Sequence, residues 1–69
     1  MASVKLDTML SLKETREMIE EAGYVCKVKS CGIACNGWLE VELTATSYVL
    51  KNIITELWDD ADLCEFIKV

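Results

Sequence analysis

The sequence predicts an α+β fold of order β-α-β-β-α-β, with two helices on one face of a four-stranded antiparallel sheet. Three observations predict it. Asn36-Gly37 lies between two stretches of alternating apolar residues, the strongest short-range signal of a hairpin, because a two-residue type I′ turn needs positive φ at both central positions. Two segments of helical periodicity flank this hairpin. Short β-prone segments begin and end the chain.

The first strand is read from Ser3–Met9, where Val4, Leu6 and Thr8 alternate. At Ser11 the period changes. Ser11-Leu12-Lys13-Glu14 is a capping box, in which the serine hydroxyl accepts from the Glu14 amide while the Glu14 side chain reaches back to the Ser11 amide. Leu12, Thr15, Ile19 and Ala22, with Met18 beside them, then form one stripe, and Gly23 ends the helix. The hairpin follows over Tyr24–Ala45. A two-residue turn pairs Cys35 with Trp38, Ile33 with Glu40, Cys31 with Glu42 and Lys29 with Thr44 on the face open to water. Ala34, Leu39, Gly32, Val41, Ser30 and Leu43, continued by Tyr24, Cys26 and Val28, make the face to be buried. Thr46 or Ser47 caps a second helix, along which Val49, Leu50, Ile53, Ile54 and Leu57 recur. Asp59-Asp60-Ala61-Asp62 breaks that pattern, and Leu63–Val69 reads as the last strand.

Sixty-nine residues make one domain over 1–69, small enough that a single core is marginally stabilising and a homodimer or bound partner would help. Seven basic against twelve acidic residues give a net charge of −5, which repels phosphate backbones and points to a basic protein partner rather than to nucleic acid. No apolar run suits a secretion signal or a membrane span, so a cytoplasmic protein with reduced thiols is expected. No membrane partner is expected.

The element order resembles the ferredoxin-like, split βαβ sandwich. That resemblance implies strands one and three at the centre of the sheet. The heavy-metal-associated branch of this fold carries Met-x-Cys-x-x-Cys after its first strand, whereas this chain has Asp7-Thr8-Met9-Leu10-Ser11 there. The metal-chaperone reading in its usual form is thereby removed. Small, acidic, proline-free domains without a catalytic site also resemble phage-encoded inhibitors, including some anti-CRISPR proteins. This second resemblance implies a module that imitates nucleic-acid charge to block a nucleic-acid-handling machine.

Candidate partner-binding residues fall in two groups. If both helices follow parallel central strands, their C-termini share one end of the domain, and Glu20 and Glu21 approach Asp59, Asp60 and Asp62. Acids there oppose the helix macrodipole, and neither last turn contains a cation, which suggests an end kept for a basic surface. The competing reading is a solvated surface that aids solubility. Ile33 and Trp38, with Val25, form the second group, apolar residues on the open sheet face that a partner or a second copy could cover.

Cys26, Cys31, Cys35 and Cys64 contain no Cys-x-x-Cys pair, and the chain has no histidine. Cys31 and Cys35 stand roughly 13 Å apart on a regular strand, too far to pair or to share a metal. No metal site and no cofactor are expected. A chain with no histidine and no glycine-rich phosphate loop is not read as an enzyme and offers no catalytic residues. The expectation is a homodimeric, non-catalytic protein-interaction module that binds its partner through the acidic end or the open sheet face. Its alternative is a small-molecule- or metal-binding regulatory domain that uses the dimer interface or the cysteines.

Overall fold

In the computed structural model, which describes all residues Met1–Val69, β1 spans Ala2–Thr8. Its alternation sends Ala2, Val4, Leu6 and Thr8 to the interior and Ser3, Lys5 and Asp7 to the other side. Helix α1, Leu12–Glu21, begins on the Ser11/Glu14 capping box, with both reciprocal hydrogen bonds formed. It ends in a Schellman motif: Gly23, at φ +90°, donates to the Glu20 carbonyl, and Tyr24 donates to that of Ile19. That use of the Tyr24 amide delays the next strand. Strand β2 is therefore Lys27–Ile33 rather than a strand starting at Tyr24.

Strand β3, Leu39–Ala45, pairs antiparallel with both β2 and β1, giving the sheet order β1-β3-β2. Helix α2, Ser47–Ile53, starts at Thr46, whose hydroxyl accepts from the Val49 amide. It continues as a π-wound turn, Ile54–Trp58, and stops at Asp59, the single non-glycine residue with positive φ, +50°. Both helices lie against the inner sheet face. The core is one cluster of Ala2, Val4, Leu6, Ile19, Val28, Val41, Leu43, Ala45, Leu50, Ile53 and Ile54.

The expected fourth strand does not form, so the four-stranded ferredoxin-like sheet is corrected to a three-stranded one. Ala61–Phe66 winds into a 3-10 helix, and only Lys68 pairs with β1, by two backbone hydrogen bonds of 2.8 Å with Ser3. The apolar spacing explains this outcome. Leu63, Cys64 and Ile67 pack against the core at i, i+1 and i+4, which a helical turn places on one side; strand alternation would instead turn Glu65 inward with Leu63 and Ile67.

The hairpin register also departs from expectation. Asn36 does not take positive φ, so the type I′ turn is absent. Gly37 donates to the Ala34 carbonyl at 2.9 Å and Ala34 to that of Trp38 at 2.7 Å, closing a longer loop in which the Asn36 side chain accepts from the Trp38 amide. This moves the pairing by one residue, to Ile33↔Leu39 and Gly32↔Glu40. A bulge between Ser30 and Gly32 moves it again, to Lys29↔Glu42 and Val28↔Leu43. One slip would turn Val28 outward; two return it to the core.

Candidate functional site

The structure divides the first group of candidate residues. Because β1 and β3 run antiparallel, the helices that follow them also run in opposite directions, and their C-termini lie at opposite ends of the sheet. Glu20 and Glu21 are therefore beside the Ala2/Ala45 end, whereas Asp59, Asp60 and Asp62 follow Trp58 at the Thr8/Leu39 end. The shared acidic end is corrected to two separate acidic ends. Lys51 also falls in the last regular turn of α2, because α-winding stops at Ile53.

The second group divides as well. The shifted register puts Ile33 opposite Leu39 instead of Glu40, in the row of β3 that faces the helices, although it remains 72% exposed at the strand end. Trp38, which precedes β3, is not paired with Cys35 on the open face. It lines a groove of about 370 Å3 with Asp7, Thr8, Met9, Leu10, Met18, Leu57 and Trp58. Trp38 thus joins the end of the molecule that carries Asp59 and Asp60, and both tryptophans of the chain meet there.

Three local features build this end. Thr15 donates its hydroxyl proton to the Ser11 carbonyl at 2.9 Å, so in the 3.3 Å contact between the Thr8 and Thr15 hydroxyls Thr8 is the donor. The Thr8 oxygen in turn accepts from the Leu10 amide at 3.1 Å. This chain of bonds satisfies two buried hydroxyls and fixes the loop that presents Met9 and Leu10. Winding with i→i+5 hydrogen bonds turns the helix less per residue, which brings Leu57 and Trp58 round towards the side of Ile53 and Ile54. The Trp58 indole N–H then donates to the Asp7 carbonyl at 2.9 Å. It covers an outward-facing group on the edge of β1.

Charge is distributed unevenly between the layers. On the open sheet side, Lys5, Lys27, Lys29 and Lys68 are balanced by Asp7, Glu40, Glu42 and Glu65. Apart from Glu65, which the 3-10 helix turns beside Lys5, Glu42 and Lys68, the helices and their connections hold Glu14, Glu17, Glu20, Glu21, Glu56, Asp59, Asp60 and Asp62 against Lys13, Arg16 and Lys51. Eight against three accounts for the whole net charge of −5. All eight carboxylate residues are exposed. Arg16 donates to the Val28 carbonyl at 2.9 Å, closing part of the β2 edge, and Lys13–Glu17, at 4.0 Å, is the only ion pair. The Tyr24 hydroxyl donates to Glu56, and this bond to a carboxylate, followed by desolvation, raises the tyrosine pKa.

The cysteines are dispersed. Cys26 is half-buried before β2, and burial pushes its thiol pKa up against an opposing backbone hydrogen bond with Thr44. Cys31 and Cys35 are exposed, at the bulge and in the hairpin loop, and Cys64 is half-buried in the 3-10 helix. No three cysteine or carboxylate side chains are grouped so as to hold a metal ion. No helix is long and apolar enough to cross a membrane.

Trp58 and Met9 are not among the candidate residues expected from the sequence, and Met18 is expected only beside the apolar stripe of the first helix. The available signal was Trp58-Asp59-Asp60, an aromatic residue directly before an acidic helix stop. No family model, curated protein or solved structure matches the chain.

Proposed function

We propose that this chain is a non-catalytic interaction module that binds a basic protein surface through its acidic helical layer, as a phage-type inhibitor imitating nucleic-acid charge would. The observation that carries this reading is the segregation of charge. The open sheet side is balanced, and the helical layer holds the entire excess of carboxylates, all exposed and nearly all without an ion partner. A like-signed surface of this kind raises the local concentration of an oppositely charged partner and speeds its association.

Calorimetric titration with polylysine over a range of salt concentrations tests the proposal. Binding is expected at low ionic strength and is expected to weaken as salt screens the surface. Joint replacement of Asp59, Asp60 and Asp62 by Asn should weaken it strongly. Joint replacement of Glu40, Glu42 and Glu65 by Gln, which likewise removes three charges but from the open sheet side, should leave it nearly unchanged. Equal losses in the two variants would show that bulk charge alone is responsible, and the proposal would fail.

A further inference from the structure

We infer that the groove between Trp38 and Trp58 is where such a partner is anchored, and that it takes one aromatic or long aliphatic side chain from a protein segment with Lys or Arg on either side. The inference rests on the acidic-layer reading and names the partner's chemistry. Six of the eight lining residues are Met9, Leu10, Met18, Trp38, Leu57 and Trp58. Tryptophan supplies large contact area with little flexibility, and exposed methionine adapts to whatever side chain enters. Met9 is 77% exposed and Trp38 43% exposed, so the groove is open without rearrangement. Its volume, about 370 Å3, is near the lower limit of ligand pockets, about 300–1,000 Å3, and suits one or two side chains rather than a whole element.

Charge selects the flanking residues of the occupant. No lining residue is basic, Asp7 lies in the wall, and the chain leaves the groove through exposed Asp59 and Asp60. A second copy of this chain would bring its own acidic layer to the same place and be repelled, as would a nucleic acid or an anionic membrane. A segment that combines an apolar anchor with flanking cations meets both the floor and the rim. Such an anchor in a water-excluding pocket is where binding energy concentrates.

The test uses three probes: an amphipathic peptide of Leu and Lys, its Leu and Glu counterpart, and polylysine. Both tryptophans line the groove, so the tryptophan emission of the native protein is expected to shift to the blue with the Leu/Lys peptide alone. Trp38→Ala should weaken the Leu/Lys peptide at least about tenfold while leaving polylysine binding unchanged. Met9→Lys is a second variant at an exposed position, and it should repel the same peptide. Native affinity of the Leu/Lys peptide for Trp38→Ala, or equal binding of the Leu/Glu peptide, would overturn the groove assignment and leave the acidic layer standing. Failure of polylysine to bind the native protein would overturn the acidic-layer reading, and this inference with it.

Discussion

Helix α1 and helix α2 are built by different means. Helix α1 is defined by its ends: the Ser11/Glu14 box and the Gly23 Schellman motif satisfy its terminal backbone groups within the local chain. It contributes Ile19 and Thr15 to the fully buried residues. Helix α2 has one side-chain cap, at Thr46, yet it buries Leu50 and Ile53, and its π-wound continuation buries Ile54. Its far end is shaped by what it packs against, through the Trp58 bond to Asp7 and the left-handed Asp59. The locally specified helix thus serves chiefly as scaffold and lends only Met18 to the groove, whereas the helix held by tertiary packing delivers Leu57 and Trp58 to it.

The contrast can be tested by removing each kind of support. The largest effect is expected from Leu50→Ala, which leaves a void where the side chain is fully buried and should cost about 2–5 kcal/mol. For a core this small, urea denaturation should show much of the folded state lost. Next is Trp58→Phe, which leaves the Asp7 carbonyl without its donor and should cost about 1–3 kcal/mol. Its denaturation midpoint should fall, and amide exchange should quicken at the Thr8/Leu39 end ahead of the Ala2/Ala45 end. Ser11→Ala, which removes one capping bond, should cost about 1 kcal/mol. If Ser11→Ala proved more damaging than Leu50→Ala, the distinction between the two helices would collapse.

The smallest effect concerns pH, and it links the two helices directly. Tyr24 closes α1, and its hydroxyl donates to Glu56 in the π-wound turn, which raises the tyrosine pKa. Folding thus raises the value above the unfolded one of about 10. The bond's contribution is therefore complete below about pH 10 and is lost as the pH rises through the folded value. Replacing Glu56 by Gln should move the Tyr24 transition, followed by tyrosinate absorbance, back towards the ordinary range. An unmoved transition would mean that Glu56 is not the cause.

Residues whose partners lie within a few positions were legible in the sequence. The capping box, Gly23, the inward rows of β1 and β3, and the stripe of α2 all occur where local pattern placed them. The turn at Asn36-Gly37 was also located, but its register was not, because the Ala34–Gly37 loop and the bulge at Cys31 each displace the pairing by one residue. Leu63–Val69 has the composition of a strand but the apolar spacing of a short helical turn, and the spacing prevails. The candidate site was half legible. Trp38 and Asp59–Asp60 were singled out separately, and their convergence required the relative direction of β1 and β3.

The sequence by itself determined an α+β chain with two capped helices around a hairpin, an acidic excess and an apolar row for each element, since these follow from propensity, periodicity and counting. Tertiary structure decided the number of strands, the register of the hairpin and the end to which each acidic group belongs. It also brought Trp38 beside Trp58. Those outcomes depend on contacts between residues far apart in the chain, where burying Val28, Leu63 and Ile67 outweighs the local preference of the backbone that carries them.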